Sequence, residues 1–317
     1  MIIVGCSISL ALISCMNDTI GRTNSYDPAN PNFISGTNWF RATAAAAFSA
    51  RQNTAALAYN GKLWIIAGSN TVTMNDVWYS TDGAAWAQAT AAASFPPRCA
   101  HNALVFNSRM WVIGGDNAGN LNDVWYSTDG ASWTQATSNA AFTARRYFAS
   151  AVFKNSMWVV GGNDGVAKND AWYSSDGVNW TLATNNAGFA IRSYHPVVVY
   201  DNRMWLIGGL VGAAGTNDIW STPDGTNWTL VTSMAAFSVR FSPAVVFNNR
   251  MWVIGGSTTG VTNDIWYSTD GVAWKNTTVA AAFTARQSPA SAVLNNKMWI
   301  FAGTTNMVRF NDVWWAH

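Results

Sequence analysis

The chain has 317 residues, of which 49% are hydrophobic and only 11% are charged, and its net charge is +2 at pH 7. A chain of this length and hydrophobicity buries a large core as one domain, and so small a charge gives no electrostatic basis for binding nucleic acid. The sequence contains no Glu, which excludes any mechanism that needs a Glu acid, base or metal ligand.

The N-terminus predicts export and a lipid anchor. Residues 1–14 form an apolar run that is too short to span a bilayer, and Leu12-Ile13-Ser14 directly precedes Cys15. This string resembles the lipobox of bacterial lipoproteins, which implies cleavage before Cys15 and acylation of its thiol. We therefore expect residues 1–15 to be a lipoprotein-type signal and the protein to be lipid-anchored at a bacterial cell envelope, in the periplasm or at the surface. Plain secretion is the alternative.

Residues 16–35 are polar and contain proline, as expected of a flexible tether. With Cys6 removed and Cys15 acylated, Cys99 is the remaining thiol, so no intramolecular disulfide is expected.

From residue 36 onward the chain is one unit repeated six times. Its clearest mark is an Asn-Asp pair followed by an apolar residue and Trp, and successive pairs begin 47, 47, 48, 46 and 48 positions apart. The pairs are Asn75-Asp76, Asn122-Asp123, Asn169-Asp170, Asn217-Asp218, Asn263-Asp264 and Asn311-Asp312.

Each unit predicts four short antiparallel strands. A Phe-x-x-Arg string opens an apolar run, a turn such as Asn-Gly follows, and a second apolar run ends in Gly-Gly. A loop of six or seven residues then leads to the Asn-Asp strand, and an Asp-Gly turn precedes a short strand centred on Trp. No window shows an extended helical period, so the protein is predicted to be all-β.

These marks resemble those of kelch repeats, over residues 36–317. The resemblance implies a six-bladed β-propeller of four-stranded blades. The first unit begins with the fourth-strand mark Gly36-Thr37-Asn38-Trp39, and the last ends at Trp314 and Trp315 without one. We therefore expect the N-terminal strand to complete the blade of residues 283–315 and close the ring, leaving no free sheet edge.

The repeat also explains most residues that otherwise suggest chemistry. Eighteen of the nineteen Trp occupy three fixed positions per unit, which favours an inter-blade core over a sugar-stacking surface. Eleven of the sixteen Asp occupy the Asn-Asp and Asp-Gly positions, where we expect bonds to turn backbone.

Residues that differ from those at the equivalent positions of other units indicate where a ligand binds. They gather on the units opened by Arg98, Arg145 and Arg192, whereas the opposite side is Ser, Thr, Pro and Asn. In kelch propellers these positions surround the mouth of the central channel, which the resemblance makes the natural ligand site. The candidates are His101, Asp116, Arg146, Tyr147, Asp164, Tyr194 and His195. For the two His, a purely structural strand-capping role is the alternative.

Three functions are open at this point. The first is a non-catalytic binding or scaffold module, a monomer that presents its loop face to a protein or glycan and needs no cofactor or metal. The second is a sugar epimerase or mutarotase similar to bacterial kelch enzymes, with an acid/base pair drawn from the two His and from Asp116 and Asp164. The third is a copper-radical oxidase similar to galactose oxidase, using Cys99, Tyr147 and Tyr194 with the His residues. Against that likeness, the tyrosines lie on adjacent units and Pro196 follows His195.

Overall fold

The computed structural model describes residues 36–257 and 260–317, which form β-strands joined by turns, with no helix among them. This part of the chain accordingly contains no apolar helix long enough to cross a membrane. Its strands assemble into six antiparallel sheets of four strands each. The predicted signal at residues 1–15, with Cys15, and the predicted tether at residues 16–35 lie outside the described residues.

Each sheet is one blade. β1 (Phe40–Thr43) comes first in the chain but belongs to blade 6. Blade 1 contains β2 (Ala55–Tyr59), β3 (Lys62–Ser69), β4 (Thr73–Ser80) and β5 (Ala87–Thr90). Blade 2 contains β6 (Asn102–Phe106), β7 (Arg109–Asp116), β8 (Asn120–Ser127) and β9 (Thr134–Thr137). Blade 3 contains β10 (Ala149–Phe153), β11 (Ser156–Asn163), β12 (Ala167–Ser174) and β13 (Thr181–Thr184).

Blade 4 contains β14 (Val197–Tyr200), β15 (Arg203–Val211), β16 (Ala214–Thr222) and β17 (Thr229–Thr232). Blade 5 contains β18 (Ala244–Phe247), β19 (Arg250–Ser257), β20 (Val261–Ser268) and β21 (Lys275–Thr278). Blade 6 combines β1 with β22 (Ala290–Leu294), β23 (Lys297–Phe301) and β24 (Val313–Ala316). The first strands of neighbouring blades contact one another around the ring, so β2, β6, β10, β14, β18 and β22 surround the axis.

Blade 6 closes the ring as the sequence predicted. β1 pairs antiparallel with β24 and places Phe40 opposite Trp315. The two rings stack with their centroids 4.8 Å apart, and the Gly36 N–H donates to the His317 carbonyl at 2.6 Å. Strands from both ends of the described chain thus share one sheet.

Tryptophan and glycine join neighbouring blades. The Trp of each second strand packs against the Asp-Gly turn of the next blade, so that a Cβ on Gly130 would lie 2.1 Å from the Trp64 ring. Gly36 takes the equivalent place against Trp252, at 2.6 Å. No larger residue fits these turns, and the repeated tryptophans belong to the inter-blade core.

Buried ion pairs fix the start of each first strand against the third strand of the same blade. In blade 2, Arg98 Nη1 and Nη2 donate to Asp123 Oδ1 and Oδ2 at 2.7 and 2.8 Å. Arg98 Nη1 also donates to the Gly114 carbonyl at 2.9 Å, and Trp125 Nε1 donates to Asp123 Oδ2 at 2.7 Å. The equivalent pairs are Arg51–Asp76, Arg145–Asp170, Arg192–Asp218, Arg240–Asp264 and Arg286–Asp312.

These pairs correct one expectation. The Asp of each Asn-Asp pair binds the buried Arg, not turn backbone as the sequence suggested. The Asp of the Asp-Gly turns does bind backbone: Asp129 Oδ1 accepts from the N–H groups of Ala131 and Ser132 at 2.9 and 2.8 Å.

The strand boundaries also differ from the expected unit. Pairing continues past Gly-Gly, with Asp116 opposite Asn120, so the loop between β7 and β8 is shorter than expected and the Asn-Asp pair lies inside the strand. The fourth strand begins after its Trp rather than around it, because the Trp133 Nε1–H donates back to the Gly130 carbonyl at 2.9 Å and holds the ring in the turn.

Candidate binding site at the channel mouth

One end of the ring opens into the central channel. The residues that follow each unit's Arg lie at the start of the inner strands and line a cavity of about 190 Å³. A second cavity of about 280 Å³ adjoins it further along the same strands. All six blades contribute to the mouth, through Asn53, Ala100, Tyr147, Tyr194, Ser242 and Ser288 with their neighbours.

Backbone hydrogen bonds form a belt around part of the mouth. The N–H groups of Ala100, Tyr147 and Tyr194 donate at 3.0, 3.1 and 2.9 Å to the carbonyl of the equivalent residue in the preceding blade. Tyr147 and Tyr194 have φ of 54° and 58°, a conformation uncommon for bulky residues. The equivalent Asn53, Ala100 and Ser288 have φ of 51°, 52° and 51°, so this conformation belongs to the repeat, and in blades 3 and 4 it places an aromatic residue at the channel mouth.

The two tyrosines stack on each other. Their ring centroids lie 3.7 Å apart with 18° between the planes, and both side chains are half-buried. The Arg146 guanidinium carbon lies 5.5 Å from the Tyr147 centroid, and Arg146 Nη1 donates to Asp116 Oδ2 at 3.2 Å. Four of the predicted site residues therefore form one contact group across blades 2, 3 and 4.

Burial and the neighbouring Tyr147 hydroxyl raise the pKa of Tyr194, so its phenol is protonated at neutral pH. The Arg146 side chain is 41% exposed. The group therefore presents a neutral aromatic face beside an accessible cation.

His101 and His195 lie in the wall of the channel. They are 6% and 3% exposed, and burial, reinforced by the nearby Arg98 and Arg192 charges, lowers the pKa of each to about 3. His195 Nε2 lies 3.1 Å from the Val160 carbonyl of the preceding blade. His101 occupies the equivalent place near Ile66, with neither ring nitrogen in a hydrogen bond of good geometry. Both rings are therefore neutral at physiological pH.

Asp164 lies apart from this group, in the loop between β11 and β12. Its Oδ2 pairs with Lys168 Nζ at 2.9 Å. Partial burial opposes ionisation, but hydrogen bonds from Lys168 and Thr143 lower the pKa of Asp164. The structure thus places Asp164 on the rim of blade 3, in contact with its own loop and strand.

Other residues of this face were not predicted from the sequence. Phe241 continues the aromatic row, with its ring 5.0 Å from that of Tyr194. It immediately follows Arg240, so aligning the units on their Arg shows that it departs from the repeat. Arg309, Gln52 and Gln287 lie at the junction of blades 6 and 1, where the sequence suggested only small neutral residues. Arg309 was missed because it lies in the loop before Asn311, outside the positions that align on Arg.

Within residues 36–257 and 260–317, His, Cys, Asp and Glu form no cluster of three that could hold a metal ion. Cys99 is buried, and burial raises the pKa of its thiol.

The sequence also matches a known family model. The model described as the KLHDC2/KLHL20/DRC7 Kelch-repeats domain matches residues 116–267, from the end of β7 in blade 2 into β20 of blade 5. The chain is a kelch-repeat β-propeller. The same marks continue in the kelch units on both sides of the matched region. Kelch propellers are typically protein-binding scaffolds. A search of curated proteins found no significant match.

Proposed function

We propose that this kelch propeller is a non-catalytic binding module that presents its channel mouth to a protein or glycan ligand. The observation that carries the proposal is the stacked pair of Tyr147 and Tyr194 with Arg146 beside it. Tyrosine and arginine are the residue types that contribute most at binding surfaces, because they combine large contact area with directional polar groups.

The state of the titratable residues favours binding over catalysis. An epimerase needs an acid/base pair that exchanges protons near neutral pH. His101 and His195, with pKa values of about 3, are neutral and buried, while Asp116 and Asp164 are ion-paired. A copper-radical oxidase would need histidine nitrogens facing the channel. Those of His101, and Nδ1 of His195, are buried.

The test is a screen of the purified chain on a glycan array and on a displayed peptide library, repeated with variants. Arg146→Ala and Tyr147→Ala should weaken binding of the selected glycan or peptide by about 2 kcal/mol. Their effect on the free energy of unfolding should stay within about 1 kcal/mol.

Arg109→Ala is the matched control. Arg109 also lies over a tyrosine, 4.3 Å from the centroid of Tyr126, but it begins β7 at the end of the blade away from the mouth. Binding that depends on Arg109 as much as on Arg146 would refute the mouth as the site.

We also propose that the propeller is monomeric and is tethered to a bacterial envelope through acylated Cys15. The support is the Leu-Ile-Ser-Cys string followed by a polar segment. Cys15→Ala should move the protein from the detergent phase to the aqueous phase in phase partitioning. Equal partitioning of the two forms would refute the lipid anchor. Light scattering of the Cys15→Ala form gives the molar mass and so tests whether the protein is monomeric.

A further inference from the structure

A third cavity, separate from the two at the channel mouth and lined by polar residues, opens where blade 6 meets blade 1. It encloses about 280 Å³, and its lining includes Gln52 of blade 1 and Gln287, Thr304, Asn306 and Arg309 of blade 6. No acidic residue lines it. In a ring of six blades, this junction lies across the channel from blades 3 and 4, which carry Tyr147 and Tyr194.

Three donor side chains of this pocket, those of Arg309, Gln52 and Gln287, have no partner within the described chain. Arg309 is half-buried and makes no hydrogen bond or ion pair with any residue that the structure describes, although its Nε is buried. The six repeat arginines, by contrast, each bind an Asp carboxylate. The side chains of Gln52 and Gln287 likewise make no hydrogen bond within the described chain. A buried donor without a partner is costly unless a ligand or water satisfies it.

Backbone pairing points these side chains to one side. Gln287 pairs with Thr304, Thr304 pairs with Arg309, and Arg51 pairs with Phe310, all antiparallel. Residues directly opposite each other on antiparallel strands project to the same face. Gln52 follows Arg51 by one position and Arg309 precedes Phe310 by one, so Gln52, Gln287 and Arg309 project to the same face without rearrangement.

We propose that this pocket binds a carboxylate group. A guanidinium offers two parallel N–H donors whose spacing matches the two carboxylate oxygens. Carboxamide N–H groups of the two glutamines can satisfy the remaining lone pairs. One cation balances one carboxylate charge, whereas a phosphate would carry more charge than the pocket neutralises. The proposal goes beyond the function of the aromatic mouth, because a carboxylate can bind here whether or not Tyr147 contacts a ligand.

The experiment uses the full chain with succinate as the probe and follows the arginine Nε–Hε signals by NMR. The signal lost in Arg309→Gln identifies Arg309. Succinate should shift it saturably in the parent protein, whereas the neutral isostere succinamide should not. Gln287→Leu should weaken succinate binding by about tenfold, since a hydrogen bond to a charged group is lost. Arg109→Gln, which removes the same charge at the far end of blade 2, should leave binding unchanged.

Three results would overturn the proposal. They are an equal response to succinamide, tighter binding of inorganic phosphate at Arg309, and unchanged succinate affinity when Arg309 is replaced. If Arg309→Gln fails to fold, Arg309→Lys can be used instead to identify the Arg309 Nε–Hε signal. The succinate titration of the parent protein then still tests the proposal. A peptide with one internal Asp, amidated at its C-terminus, then shows which kind of molecule supplies the carboxylate. Its binding supports a protein side chain as the carboxylate, and binding of succinate alone supports a small organic acid.

Discussion

Each buried arginine carries a full charge in the interior of a blade. Arg145, for example, is 1% exposed and binds both oxygens of Asp170. Removing a guanidinium from water costs several kcal/mol, so the ion pair mainly offsets that cost and fixes geometry. The Coulomb attraction depends on both partners being present.

Removing one partner should therefore be severe. Arg145→Met leaves the Asp170 carboxylate without its cation, and we expect unfolding in guanidinium to show a loss of about 3 kcal/mol. Lys168→Met in the same blade is the control, because the Lys168–Asp164 pair is partly exposed and should contribute less than about 1 kcal/mol. Similar losses in the two variants would contradict this account.

The Asp-Gly turns predict how stability depends on pH. Partial burial raises the pKa of Asp176, but hydrogen bonds from Asn179, Val178 and Ser174 outweigh it and lower the value from 3.8 to about 2. A carboxyl whose folded pKa is depressed stabilises the protein above its unfolded pKa and loses that contribution as pH falls. Asp82, Asp129, Asp224 and Asp270 are shifted in the same direction.

Unfolding measured between pH 5 and pH 2 should therefore show stability falling mainly below about pH 4. In Asp176→Asn the fall between about pH 4 and pH 2 should be smaller, because one titrating group is gone. An identical pH profile for parent and variant would show that Asp176 does not contribute.

The Gly-Gly pair lets the end of each second strand pack closely against its neighbours near the channel mouth. The Gly115 N–H donates to the Arg145 carbonyl of the next blade at 3.0 Å, so this glycine lies where two blades meet. Its φ is 106°. A Cβ there would lie 2.7 Å from His101 Cβ and 2.8 Å from the Cys99 carbonyl oxygen.

Gly115→Ala should consequently lower the free energy of unfolding by about 2 kcal/mol or more, through both clash and backbone strain. Gly119→Ala in the following turn provides the comparison, because a Cβ there meets nothing within 4 Å. We expect that change to stay within about 0.5 kcal/mol. If thermal and chemical unfolding cannot distinguish the two variants, the close approach at Gly115 is not what requires glycine.

The stability of the complete propeller depends on closing the ring. β1 supplies the fourth strand of blade 6, and Trp39 packs edge-on against Phe283 with centroids 5.2 Å apart. Deleting residues 36–44 should expose the edge of β24 and lower the melting temperature by about 10 °C or more, with aggregation. Deleting nine residues, 16–24, from the segment predicted to be a tether should leave melting unchanged. A deletion of residues 36–44 that melts like the parent would contradict the closure.

The local sequence pattern was sufficient to predict the architecture, because each strand and turn is specified by neighbouring residues within one unit. Asn-Gly and Asp-Gly determine the hairpins, alternation determines the faces, and six copies near 47 residues determine the blade number. The displaced fourth-strand mark at Trp39 predicted the closing strand, which β1 and β24 confirm.

Contacts between residues far apart in the chain could not be predicted from local sequence patterns. The pairing of Arg98 with Asp123 joins residues 25 positions apart, and no rule of local spacing distinguishes it from a bond to turn backbone. Likewise the stack of Tyr147 on Tyr194 and the convergence of Gln52 with Arg309 join residues of different units. Alignment of the six units was enough to identify the residues that depart from the repeat. The arrangement of the blades in the ring then decides which of these residues line the same cavity.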